Sequence, residues 1–208
     1  MLKDIDFYLV TYSSISKKGI FLDVKNAIDA GCKIIQYREK NKSKNEKIKE
    51  AKKIKEFCKG KAIFLVNDDI DVALSVGADG VHLGQNDISV NYAKKILGNN
   101  CIIGLTVHNV EEALDAEKLG VDYIGIAPIY KTDTKEDSGI PCGPEIISEI
   151  RNNVNLPIIA VGGINKDNIS EVIKNGADGV VAVSAILDSN DVKKEVSDFI
   201  SIIKEVKS

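Results

Sequence analysis

The stretch Ala62–Asp87, AIFLVNDDIDVALSVGADGVHLGQND, decides how the rest of the chain is read. It opens on a short apolar, β-branched run, passes through a brief helical stretch starting near Ile70, and ends in a second apolar run, Gly80–Leu83. The pattern is strand, helix, strand. Both strands run out into polar residues, Asn67, Asp68 and Asp69 after the first and Gln85, Asn86 and Asp87 after the second. Parallel neighbours place their carboxyl ends at the same opening, so two acids there can share a hard cation.

Working outward, comparable apolar runs recur at Phe7–Thr11, Lys33–Gln36, Cys101–Gly104, Tyr123–Ala127, Pro157–Val161 and Gly179–Val183. Segments of helical spacing separate them, such as Ala113, Ala116 and Leu119 after Val110. Eight strands alternating with eight helices predict an α/β fold, a (β/α)8 TIM barrel forming a single domain over residues 1–208. An open, doubly wound sheet is the structural rival. An internal echo favours the barrel: AGCKIIQYR, VGADGVHLG, LGVDYIGIAP and NGADGVVAVS each carry a helix-ending glycine (Gly31, Gly77, Gly120, Gly176) and a short step into a strand.

Bulk composition narrows the function classes. Net charge of −3 and 5% aromatic residues without Trp argue against nucleic acid as a partner. The lysine-rich stretch Lys42–Lys61 is interleaved with Glu46, Glu50 and Glu56 around an apolar face, the pattern of a solvated outer helix. No apolar run approaches the roughly 18 residues of a membrane span, and Met1–Val10 lacks the form of a secretory signal. Cys32, Cys58, Cys101 and Cys142 form no CxxC pair and read as reduced thiols of a cytoplasmic protein. The sequence leaves homo-oligomerisation open.

In a barrel the chemistry sits at the carboxyl ends of strands. After the second strand, alternation puts Gln36, Arg38 and Lys40 on one side, with Tyr37 and Glu39 on the other. Three donors on one face suit a phosphate or diphosphate, although an outer salt-bridge pattern would look similar. Asp68 or Asp69 can instead cap the helix that follows. The fifth strand ends in the small polar Thr106 and in His108, which reads as an ordinary loop histidine. The sixth runs into a long polar loop with Thr132, Asp133, Thr134 and Lys135, and such loops are usually functional or mobile. Gly162 and Gly163 after the seventh strand, with Val183 and Ser184 after the eighth, occupy the recurrent phosphate position of these barrels. Two anion sites therefore share one mouth. One, with Asp68 and Asp87 for Mg²⁺, suits a diphosphate; the other suits a phosphate monoester. No Ser/His/Asp set points to covalent catalysis. The residues predict alkyl transfer from a diphosphate to a phosphorylated acceptor.

Seven motifs in order, QYREK (36–40), NDDIDVAL (67–74), ADGVHLGQND (78–87), GLTVH (104–108), PIYKTDTK (128–135), AVGGI (160–164) and VSAI (183–186), resemble the thiamine phosphate synthase family over nearly the whole chain. The resemblance implies condensation of 4-amino-2-methyl-5-hydroxymethylpyrimidine diphosphate with thiazole phosphate through a carbocation, releasing diphosphate. It implies that Gln36, Tyr37, Arg38, Glu39, Lys40, Asn67, Thr106 and Lys135 hold the pyrimidine diphosphate, with Arg38, Lys40, Thr106 and Lys135 acting in catalysis. Asp68 and Asp87 would hold Mg²⁺, and Thr132, Asp133, Thr134, Gly163, Val183 and Ser184 the thiazole phosphate. Thr106 stands where the family usually has Ser, which keeps the hydroxyl, and two departures matter: Ala127 stands for Gly, and the EDSGIPCG loop after Lys135 differs. The alternatives are a thiazole tautomerase of the same superfamily, with His108 moving the proton, and a non-catalytic thiamine-precursor-binding protein. Neither needs the diphosphate and metal set.

Overall fold

The apolar runs become strands and the amphipathic segments pack around them. The computed structural model describes residues 2, 5–132, 134 and 139–208. In chain order the elements are β1 Tyr8–Val10, α1 Ile20–Asp29, β2 Ile34–Tyr37, α2 Lys44–Cys58, β3 Ile63–Asn67, α3 Ile70–Val76, β4 Gly80–Leu83, α4 Val90–Leu97, β5 Ile102–Val107, α5 Val110–Lys118, β6 Tyr123–Ile126, α6 Glu145–Arg151, β7 Ile158–Val161, α7 Ile169–Lys174, β8 Gly179–Val181, α8 Ser184–Leu187 and α9 Val192–Lys207. The strands form one parallel sheet in the order β1 to β8. Phe7 bridges to Val180, and the Val180 N–H donates to the Asp6 carbonyl at 3.1 Å, which brings the last strand back to the first. The predicted barrel is therefore present, and the open-sheet rival falls.

β5 runs to Val107, and one element adds to the sequence reading: α8 is a short extra helix before α9. The lysine-rich segment behaves as read: α2 buries Ala51, Ile54 and Cys58 and starts in a capping box between Ser43 and Glu46. Among the described residues no helix is long and apolar enough to cross a membrane.

Each strand serves two cores. Outward side chains such as Leu9, Ile35, Phe64 and Ile124 meet the helices, while Tyr8, Ile34, Leu65, Ile102, Tyr123, Ile159 and Val181 fill the barrel interior. One step nearer the mouth the inward positions turn polar. The register sets Gln36 beside Leu65, Asn67 beside His82, and His82 beside Gly104, so the site's floor is fixed by strand pairing.

The repeated joint has a physical function. Gly31, Gly77, Gly120 and Gly176 all take positive φ, between 61° and 103°. In three copies an aspartate then clamps the preceding strand: Asp79 accepts the Phe64 N–H at 2.7 Å, Asp122 the Ile103 N–H at 2.8 Å and Asp178 the Ile158 N–H at 2.7 Å. In the remaining copy the Cys32 thiol donates to the Phe7 carbonyl. Each carboxylate thus satisfies a backbone donor at the amino-terminal end of the sheet. Asp122→Ala should leave the N–H of fully buried Ile103 without its acceptor and cost about 1–3 kcal/mol, read by urea denaturation. Asp115→Ala, which removes only the exposed pair with Lys118, should stay within about 0.5 kcal/mol of the parent.

Candidate active site

The carboxyl ends of the strands open into a cavity of about 490 Å³. Gln36, Arg38, Lys40, Asn67, Asp68, Asp87, Thr106, Thr132, Thr134, Gly163, Val183 and Ser184 all line it. Asp133 and Lys135, also expected here, lie outside the described residues.

On one side the ends of β3 and β4 present the acids. Asp68 has φ +58, and among the described residues it alone takes positive φ without being glycine. Its N–H donates to the His82 carbonyl at 2.9 Å, and the Asn67 amide donates to its carboxylate at 2.7 Å. The strained backbone turns this side chain to the mouth. Asp69 does the capping instead, accepting the Val72 N–H at 3.2 Å. Asp87 is fixed by the Gly84 N–H at 2.7 Å and meets the Asp68 carboxyl. Desolvation at the mouth and the hydrogen bond shared with Asp68 hold Asp87 above the usual carboxylate range. Lys40 forms an ion pair with Asp68, while the Arg38 guanidinium lies over the Tyr12 ring, 5.2 Å from its centroid.

The floor is a chain of polar contacts that the strand reading missed. The Gln36 amide donates to the Tyr8 hydroxyl, which meets the Tyr123 hydroxyl at 2.9 Å. Tyr123 meets His82 Nδ1 at 2.9 Å, and His82 Nε2 meets Thr106 Oγ1 at 2.9 Å. Burial pushes both tyrosine hydroxyls far above their ordinary range, so they stay neutral.

On the other side the turn after β7 comes very close to the segment leaving β6. A Cβ on Gly162 would stand 2.8 Å from Pro128, and one on Gly163 would stand 2.7 Å from the Lys131 carbonyl oxygen. The Tyr130 N–H donates to the Gly162 carbonyl at 3.0 Å, and the Tyr130 hydroxyl reaches Glu171 at 2.7 Å. The returning loop is tied down by Cys142 N–H to Pro128 O at 3.0 Å and Gly143 N–H to Ile129 O at 3.1 Å. Exposed Ser184 opens α8 beside this turn.

Similarity to known proteins now decides the lineage. The sequence profile described as thiamine monophosphate synthase matches residues 7–186. This chain belongs to the thiamine monophosphate synthase family. It is 59% identical to the thiamine-phosphate synthase of Methanosarcina mazei, covering 100% of this chain and 86% of that protein. The Methanosarcina barkeri thiamine-phosphate synthase is 55% identical, over 100% of this chain and 94% of that protein. Among solved structures, thiamine phosphate pyrophosphorylase from Pyrococcus furiosus superposes with a TM-score of 0.90 at 37% identity, covering 99% of this chain and 98% of that one.

In this member of the thiamine monophosphate synthase family two of the residues expected to bind do not line the cavity. Tyr37 and Glu39 alternate outward, away from the cavity. The buried Tyr37 hydroxyl donates to Glu50 at 2.8 Å, and Glu39 accepts from the Ser13 hydroxyl at 2.6 Å. Both fasten β2 to its surroundings. His108 does reach the rim of the cavity, where Glu112 meets its Nδ1 at 2.8 Å.

Raising the Asp87 pKa has a consequence for stability. The unfolded chain releases this proton first, so the protonated form's contribution is present at low pH and lost as pH rises through the raised value. Asp87→Asn keeps an acceptor for the Gly84 N–H and removes that loss. Its melting temperature at pH 7 should exceed the parent's, and the two should converge below the ordinary Asp value of about 3.9. A less stable variant at pH 7 would show that the ionised carboxylate is not under strain.

Proposed function

We propose that the chain condenses 4-amino-2-methyl-5-hydroxymethylpyrimidine diphosphate with thiazole phosphate to give thiamine phosphate and diphosphate. The observation that carries this reading is a single cavity lined by two sets of groups suited to anions. Arg38, Lys40, Asn67 and the acid pair stand on one side, and the glycine turn with Ser184 on the other. Arg38 supplies a planar fork and Lys40 a point charge for the departing diphosphate. The bond from the pyrimidine methylene carbon to the diphosphate oxygen breaks with its electron pair going to oxygen. The thiazole nitrogen then gives its lone pair to the cationic carbon, forming the new C–N bond. Gln36 and Thr106 orient the pyrimidine from the floor; Gly163, Val183 and Ser184 hold the monoester so that the nitrogen faces the carbon.

The acid pair fits Mg²⁺. Two carboxyls sharing a hydrogen bond, with Lys40 drawn to one of them, form a spot that favours added positive charge. No third His, Cys, Asp or Glu gathers with them among the described residues, which suits an ion that completes its shell with phosphate oxygens and water. Bound there, Mg²⁺ would neutralise charge on the leaving diphosphate. The reading places the protein in the cytoplasm, where its four free cysteines would stay reduced.

The direct test is incubation with both substrates and Mg²⁺. Thiamine phosphate and diphosphate should appear in equal amounts, and EDTA should stop the reaction. Asp87→Ala should fold normally yet lose at least about a hundredfold in kcat; near-normal Mg²⁺-dependent turnover would remove it from the metal site. Ser184→Ala should raise KM for thiazole phosphate about tenfold. A change confined to the pyrimidine diphosphate would mean that the two halves are reversed.

A further inference from the structure

The polar chain under the cavity is built at a cost in packing. A Cβ on Gly104 would lie 2.1 Å from the Tyr123 ring and 2.4 Å from its hydroxyl. One on Gly125 would lie 3.1 Å from His82 Cε1. Two strands therefore carry glycine at inward positions where β-branched residues would fill the core better, and the space goes to a tyrosine and a histidine. Tyr8 and Tyr123 are buried, and among the described residues no buried polar side-chain atom lacks a partner.

The count of hydrogens gives this chain a direction. Each tyrosine hydroxyl meets two partners and owns one proton, so it donates once and accepts once. Gln36 turns its NH₂ to Tyr8, which obliges Tyr8 to donate to Tyr123 and Tyr123 to donate to His82 Nδ1. His82 must then carry its proton on Nε2 and give it to Thr106 Oγ1. Thr106, having accepted, turns its own proton to the cavity. Flipping the Gln36 amide would reverse every link and make Thr106 an acceptor.

We propose that His82 and Tyr123 are positioning residues that hold the Thr106 hydroxyl as a donor to the pyrimidine diphosphate and couple its orientation to the Gln36 amide. The proposal rests on the reading of the site given above. It also defines what the floor recognises: a ligand that matches Gln36 at one point and offers an acceptor to Thr106 at another. An amino-substituted pyrimidine, whose ring nitrogens accept and whose exocyclic nitrogen donates, has this character.

The chain has only two histidines, so ¹⁵N-histidine labelling isolates the signal, with His108→Asn assigning the second residue. In the ligand-free full chain at pH 7.5, His82 should be the neutral Nε2–H tautomer with Nδ1 as acceptor. The Nδ1–H tautomer, or a mixture of the two, overturns the proposal. Tyr123→Phe keeps the ring and removes the link. It should release the tautomer preference and raise KM for pyrimidine diphosphate about tenfold, with KM for thiazole phosphate changed by less than about twofold. Unchanged pyrimidine KM, or an equal rise for both substrates, also overturns it. Should that variant fail to fold, the parent spectrum still decides the hydrogen-bond direction. Failure of the parent to make thiamine phosphate would instead count against the catalytic reading, because the tautomer is measured without substrate.

Discussion

A polar side chain sent into the interior of a parallel barrel must find a hydrogen-bond partner there or lose the energy of its hydration. That constraint shapes the upper interior of this protein. Gln36, Tyr8, Tyr123, His82 and Thr106 come from five different strands, and their links reach across the barrel interior as well as between neighbours, so each depends on its strand holding the register that turns it inward. An error of one residue in any pairing would turn the side chain to the helical layer and leave its partners unpaired. Strand register, floor chemistry and cavity shape are therefore one property of the fold. The aspartate clamps at the opposite end, Asp79, Asp122 and Asp178, bond directly to strand backbone and help to hold that register.

At the mouth the balance runs the other way. Asp68 stands in a left-handed conformation that costs a non-glycine residue energy, and it directs its carboxyl to a second carboxyl on Asp87. Lys40 offsets part of the repulsion. Such an arrangement concentrates negative charge at the mouth and costs stability. Stability is supplied by the helical layer and the lower barrel, and is given up where charge has to be handled.

The sequence was legible wherever local spacing decides the outcome. Alternation along 36–40 separates Gln36, Arg38 and Lys40 from Tyr37 and Glu39, and the structure keeps that separation. Between Asp68 and Asp69 the spacing allows either to cap α3, and only the backbone at Asp68 settles it. Tyr8, Tyr123 and His82 each sit in an apolar run, which gives them no functional signal. Their roles depend on contacts across 115, 41 and 28 positions of chain, which no local pattern carries. One signal was present: Gly104 and Gly125 interrupt β-branched strands, and glycine inside a strand marks a close approach.

The same inward column explains why Ala127 is tolerated. Tyr123, Gly125 and Ala127 follow one another along β6 and its exit, pointing inward at successive heights. Gly125 must stay bare because His82 lies against it, whereas Ala127 has passed the floor and borders the cavity. Its effect falls on the cavity itself, where it takes up space that a glycine would leave open.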